Sequence, residues 1–134
     1  MRRLGTLMCL AVCLFASAAW SAEAKTIRLV NKHIRADFKL INGVWANCAL
    51  SRADGSDAIA IDSDEFEILL FDDTRMTAKD YLAGDPKRIS GNDGTQALLI
   101  NYKPRGATSP KAPGDVTVGY TLGKGPYLHK IIML

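Results

Sequence analysis

Ile34-Arg35-Ala36-Asp37-Phe38-Lys39-Leu40-Ile41, then Asn42-Gly43, then Val44-Trp45-Ala46-Asn47-Cys48-Ala49-Leu50-Ser51: the reading of this stretch decides the fold. Ile34, Ala36, Phe38 and Leu40 alternate with Arg35, Asp37, Lys39 and Ile41, a period of two rather than 3.6. Successive strand side chains point to opposite faces, so the segment reads as a strand with one buried face. Asn42-Gly43 follows directly, and that dipeptide tolerates positive φ at both central positions of a type I′ turn. Val44 to Ser51 continues the alternation, and the whole is predicted to be a β-hairpin.

Working outward, the same pattern predicts strands at Thr26 to Val30, Ala58 to Ile61, Glu65 to Phe71, Gln96 to Tyr102, Val116 to Leu122 and Tyr127 to Met133. Turn formers separate them: Asp54-Gly55, Asp72-Asp73, Asn92-Asp93-Gly94 and Gly123-Lys124-Gly125-Pro126. Thr77 to Ala83 offers a turn or two of helix. Pro104 to Asp115 carries Pro104, Pro110 and Pro113 with Gly106 and Gly114, so it reads as a long surface loop; proline lacks the ladder donor of a central strand. Many short strands at near-regular spacing predict an all-β fold, an antiparallel β-sandwich.

The chain has 134 residues, enough for one domain and its targeting segment. Met1-Arg2-Arg3 is a short cationic start, Leu4 to Ala19 is apolar and uncharged, and Ala22-Glu23-Ala24 fits the small-x-small cleavage pattern. Residues 1–24 therefore read as a signal peptide and residues 25–134 as the exported domain, periplasmic or extracellular. A retained membrane anchor needs about 20 apolar residues, and the uninterrupted run is shorter. Cys13 lacks the small residue that a lipoprotein signal wants before it, since Val12 stands there. Cys9 and Cys13 leave with the leader, so Cys48 has no intrachain disulfide partner and the domain must be held by its core. Cys48 alternates with Val44, Ala46 and Leu50, which reads as a buried small hydrophobe; a thiol nucleophile is the sharper alternative, without a histidine nearby in sequence. Seventeen basic against fourteen acidic residues give +3, too mild and dispersed to point to nucleic acid.

Ile27-Arg28-Leu29-Val30-Asn31 followed by Ile34-Arg35-Ala36-Asp37-Phe38 resembles the opening of the galactose-mutarotase-like β-sandwich found at the N-terminus of secreted α-galactosidase-like and α-glucosidase-like glycoside hydrolases. Phe66-Glu67-Ile68-Leu69-Leu70 looks like a later strand of that domain, and Pro126-Tyr127-Leu128-His129-Lys130 like the strand before its second half. The resemblance implies a sugar-associated sandwich whose catalytic carboxylates lie in a separate barrel. Such sandwiches are about twice this length, and Lys130-Ile131-Ile132-Met133-Leu134 closes the chain on an apolar strand pattern. The expectation is therefore an incomplete supersandwich, truncated at its C-terminal side, or else a sandwich that ends on an edge strand.

No catalytic constellation accompanies the resemblance. Epimerisation needs a histidine with a carboxylate near the sugar ring. His33 falls in a turn and His129 in a strand beside Lys130, and neither matches a family catalytic pattern. Paired-carboxylate hydrolysis needs two acids about 5–10 Å apart across a cleft, and Asp72-Asp73 are adjacent in a turn. Asp62-Ser63-Asp64-Glu65 gathers oxygen ligands of the kind Ca²⁺ takes, without the EF-hand spacing, so a solvated loop is the expectation and no cofactor is assigned. Gly119 to Lys124 is too short for a phosphate loop. Sugar recognition stacks an aromatic ring on a pyranose and hydrogen-bonds its hydroxyls. Trp45 lies opposite Val44, Ala46 and Cys48 and beside Asn47, so Trp45 and Asn47 are the candidate ligand-binding residues. The competing placement, which a two-sheet architecture favours, buries Trp45 as core.

The sequence thus predicts an exported, non-catalytic module that binds or positions a glycan beside a glycoside hydrolase catalytic domain. The alternatives are a structural or protein-interaction sandwich without sugar affinity, and a small aldose epimerase. Carbohydrate, a catalytic domain or a partner protein are the partners implied; nucleic acid, and membrane after cleavage, are not.

Overall fold

A computed structural model describes residues 25–106 and 114–134. The expected leader (1–24) and most of the loop between Pro104 and Asp115 (107–113) lie outside the described residues. In chain order the strands are β1 (Thr26–Val30), β2 (Ile34–Ile41), β3 (Val44–Arg52), β4 (Ile59–Ala60), β5 (Glu67–Leu69), β6 (Arg75–Thr77), β7 (Tyr81–Ala83), β8 (Lys87–Ser90), β9 (Gln96–Pro104), β10 (Val116–Leu122) and β11 (Leu128–Met133). The molecule is all-β and every described strand pair is antiparallel. Among the described residues no helix is long and apolar enough to cross a membrane.

One sheet runs β1-β2-β3-β4, and a second runs β11-β10-β9, with β7 and β8 sharing the far edge of β9. Their inner faces close on one core. Leu29, Ala36, Phe38 and Trp45 come from the first sheet; Leu98, Ile100, Tyr102, Val116, Val118, Tyr120 and Leu122 come from the second. Phe66 arrives from the loop before β5 and meets Tyr81 and Tyr102 edge-on, with ring centroids 5.3 and 5.2 Å apart, while Phe38 meets Tyr120 at 4.7 Å. Each edge-on pair adds about 0.5–1.5 kcal/mol beyond the area it buries.

The β2–β3 hairpin forms as its sequence requires. Ile41 pairs with Val44 across the two-residue turn, and Asn42 and Gly43 take φ of 51° and 79°. The inward face of β2 is the expected one. That of β3 is not: pairing across the turn sets Trp45 opposite inward Leu40, and a bulge then shifts the far half, since Asp37 pairs with Ala49 but Phe38 with Asn47, leaving Cys48 as the extra residue. One inserted residue exchanges the faces on either side of it. Before the bulge Trp45 and Asn47 face the core and Val44, Ala46 and Cys48 face out; beyond it Leu50, opposite Ala36, turns inward. Simple alternation puts all four of Val44, Ala46, Cys48 and Leu50 on one face, and the bulge corrects that assignment.

Three short strands escape the sequence pattern. β6 and β7 flank a single 3₁₀ turn (Ala78–Asp80) where one or two helical turns are expected. Thr77 Oγ1 accepts from Lys79 N, and the Asp80 carboxylate accepts from Thr77 N at 2.8 Å, so reciprocal capping stops the segment after three residues. Between β7 and β8, Gly84 N donates to Asn101 O at 2.7 Å, and pairing resumes at Lys87↔Leu99 with one residue more on this side. Pro86, which has no N–H, sits in that offset. Pro104 itself ends β9 opposite Tyr81, so the central strand runs two residues past its predicted end.

Asn31 locks one end of the sandwich. Its Oδ1 accepts from the N–H groups of His33 and Ile34 at 2.8 and 2.9 Å, and its Nδ2 donates to the carbonyls of Gly123 and Gly125, both at 2.7 Å. One side chain thus builds the β1–β2 turn and ties it to the β10–β11 turn.

Candidate functional site

At the other end of the β2–β3 hairpin, the outward face of β3 floors a cleft of about 620 Å³. Val44, Ala46 and Cys48 form the floor with Ile61, and Ala78 and Ile41 border it. Asn42, Asp62, Ser63, Asp64, Lys79 and Arg105 make a polar rim. The turn register builds this floor: Ile41 pairs with Val44 and Lys39 with Ala46, so Val44, Ala46 and Cys48 share the outward face. Ile61 is held against it because Ile61 N donates to Cys48 O at 2.9 Å, prolonging β4.

Arg105 forms one wall. Its Nε donates to Tyr81 O at 2.8 Å and its Nη2 to Asn42 O at 3.1 Å, so the guanidinium bolts the hairpin turn to β7. Gly43 leaves room for this clamp: a Cβ there would lie 3.0 Å from Arg105 Nη2, at a φ that side chains avoid. On the facing rim Lys79 Nζ lies 3.0 Å from Asp64 Oδ1. Asp62 and Ser63 are exposed on the same rim.

Glu65 borders the cleft but its carboxylate points away from it. The residue is 5% exposed, Tyr120 Oη donates to its Oε1, and Lys130 Nζ stands 3.5 Å from Oε2 while also donating to the Glu65 carbonyl. Burial, and then the nearby Glu65 charge, push the Tyr102 and Tyr120 hydroxyls far above the ordinary tyrosine value. Both phenols therefore stay protonated as donors, Tyr120 to Glu65 and Tyr102 to Trp45 O. This pair of buried Glu65 with exposed Lys130 joins the loop before β5 to β10 and β11.

The predicted ligand residues sit elsewhere. Trp45 is 4% exposed and Asn47 8%, both on the core face, and neither lines the cleft. The indole offers no open ring face for a sugar, which corrects the stacking-platform reading: pairing with Leu40 across the turn puts Trp45 on the core face. Cys48 is half-buried in the cleft floor, with Sγ directed to Ala46 O at 3.4 Å, rather than packed in the core. Asp62, Asp64 and Glu65 do not converge: Asp64 goes to Lys79 and Glu65 to Tyr120 and Lys130, and among the described residues no three potential ligands gather around a metal-sized point. His33 and His129 are exposed outside the cleft, and Asp72 and Asp73 lie in the β5–β6 turn. Sequence reasoning missed Arg105 and Lys79 as site residues. Arg105 acts across 24 and 63 residues of chain, a separation that no local pattern encodes.

Comparison of the chain with protein-family models, with curated proteins and with solved structures finds no match.

Proposed function

We propose that this chain is an exported, non-catalytic sugar-associated β-sandwich, and that the cleft over Val44, Ala46 and Cys48 is where a glycan binds beside a glycoside hydrolase catalytic domain. One observation carries the reading: a cavity with room for more than one sugar ring, whose floor is apolar and whose rim carries Asp62, Ser63, Asn42 and Arg105. A pyranose has an apolar C–H face and a belt of hydroxyls. The face fits the floor, and carboxylate, hydroxyl and amide groups match the belt. The chain's opening resemblance to galactose-mutarotase-like domains supports the same substrate class. The non-catalytic part rests on how the acids and bases other than Asp62 are occupied, which leaves that one rim carboxylate without a second. Glu65, Tyr120 and Lys130 satisfy one another, Lys79 is committed to Asp64, and both histidines lie away from the cleft.

Isothermal titration of the chain with galactosides, glucosides and their oligomers tests the reading. Saturable heat that Asp62→Ala and Ser63→Ala each weaken, with no product formed, is the expected result. Absence of heat across the panel refutes it. A second reading, a protein-interaction sandwich without sugar affinity, is favoured by the apolar residues exposed on the opposite sheet, among them Ile89, Ile131 and Met133.

A further inference from the structure

The outer face of the second sheet is an apolar trough with a basic rim. Register places Lys87, Leu99, Gly119 and Ile131 in one row across β8, β9, β10 and β11, with Ile89, Ala97, Thr121 and His129 in the next. Gly119 shapes the trough: a Cβ there would lie 3.2 Å from Leu99 Cδ2 and 3.3 Å from Ile131 Cγ1, so these two side chains close over bare backbone. Ile131 is 54% exposed, with Ile89 and Met133 also open. Lys103, beyond Asn101 on β9, shares this face, and none of its outward-pointing strand residues is acidic.

The same chain carries a surface of opposite character. The β5–β6 hairpin presents Leu69 and Phe71, and the Phe71 ring is wholly exposed. Asp72 and Asp73 follow Phe71 directly in the turn. Its backbone is set, with Leu70 N donating to Thr74 O at 2.9 Å and Asp73 N to Leu70 O at 3.0 Å. An aromatic anchor flanked by carboxylates thus matches, in polarity and in charge, an apolar trough flanked by lysines.

We infer that copies of this chain associate head to tail, the β5–β6 hairpin of one seated in the β8–β9–β10–β11 trough of the next. The inference deepens the interaction reading and is independent of the cleft, which lies on the other sheet. A face-to-face dimer of troughs brings Lys87 and Lys103 of both copies together and is opposed by like charge; the hairpin-in-trough arrangement pairs opposite charges instead. Such a contact is heterologous, so each copy keeps one free hairpin and one free trough.

Sedimentation velocity of the purified chain, with two variants, is the test. The wild type is expected to grow in mass with concentration and to dissociate as salt rises. Phe71→Ser and Ile131→Glu each weaken association by at least about tenfold. Both positions are exposed, so a thermal melt confirms folding, and Leu69→Ser and Met133→Glu stand in for a variant that fails it. The decisive sample is an equimolar mixture. Phe71→Ser retains a sound trough and Ile131→Glu a sound hairpin, so the mixture forms a dimer that grows no further. A wild type that stays monomeric at its highest soluble concentration overturns the inference. So does self-association that the mixture fails to restore, which marks a symmetric interface and leaves the broader interaction reading standing.

Discussion

The hydroxyl of Tyr102 donates to the backbone carbonyl of Trp45 at 2.6 Å, joining the second sheet to the first across the core. This bond spans 57 residues of chain and sits directly beneath the cleft floor, because Trp45 lies between Val44 and Ala46. Tyr102→Phe leaves that buried carbonyl without its donor. The expected loss is about 1–3 kcal/mol of unfolding free energy, read by urea denaturation monitored through Trp45 fluorescence. An unchanged midpoint would contradict the account of how the sheets are fastened.

Asn31→Ala removes four hydrogen bonds in one step, two within the β1–β2 turn and two to the β10–β11 turn. A loss of about 2–4 kcal/mol is expected, larger than that of Tyr102→Phe, because two loops lose partners together. Asn31→Asp keeps the two acceptor bonds within the β1–β2 turn and gives up both donor bonds to the β10–β11 turn. It should recover only part of the loss in the same denaturation series.

Acid sensitivity follows from Asp37. Burial works to raise its pKa, but hydrogen bonds and charges from Arg35 and Arg28 outweigh it and hold the carboxyl below its ordinary value of 3.8. The bonded distances are 2.7 Å from Arg28 Nε and 2.8 Å from Arg35 Nη2. A depressed folded pKa gives stability that is complete above the unfolded value and is lost as pH falls through the folded one. Asp37→Asn should therefore cost about 0.5–1.5 kcal/mol at neutral pH, a figure reduced for the half-exposed Arg28, and should flatten the fall in stability below about pH 4. Urea midpoints across that range read it.

Alkaline sensitivity has the opposite sign. Desolvation raises the hydroxyls of Tyr81, Tyr102 and Tyr120 above the ordinary value of 10.0, so the folded state holds protons that the unfolded chain releases. Their contribution is complete below pH 10 and is lost progressively above it. Tyrosinate absorbance should rise cooperatively with the loss of β-sheet circular dichroism. A smooth titration of these tyrosines in a folded protein would contradict their burial.

What the sequence made legible was local. Thr26–Val30 and Val116–Leu122 coincide with the predicted strands, and Asn42-Gly43 makes the predicted turn, because alternation and turn chemistry act between near neighbours. The faces of β3 are legible only in part: the two-residue turn sets those of Val44 to Asn47, but the bulge at Cys48 that turns Leu50 inward is a property of the β2–β3 pair and neither strand announces it alone. β7 and β8 are too short to show a period and are interrupted at Pro86. The candidate site suffered from both causes. Apolar alternation assigns Trp45 and Asn47 to the polar face, whereas pairing across the turn with Leu40 and Phe38 puts them inward, and Arg105 lies in a stretch whose prolines read as loop. Asp62-Ser63-Asp64 was legible as a polar cluster, and only the fold shows that it faces an apolar floor.

Cys48 gives the cleft a built-in reporter. Its half-buried thiol lines the floor, so a water-soluble disulfide reagent should modify it in the native state, more slowly than in the unfolded chain. A bound sugar covers that floor and is expected to slow the reaction further, with a concentration dependence that matches the titration heat. Sugar that binds without protecting Cys48 would place the ligand elsewhere.

The most direct test of the cleft as a sugar site is amide chemical-shift mapping by NMR during titration with galactosides and glucosides. The account predicts saturable shifts clustered on Val44, Ala46, Cys48, Ile61 to Asp64, Lys79 and Arg105, with the sugar recovered unchanged. Shifts absent from these residues at saturating sugar, or turnover of the sugar by the pure chain, would contradict it.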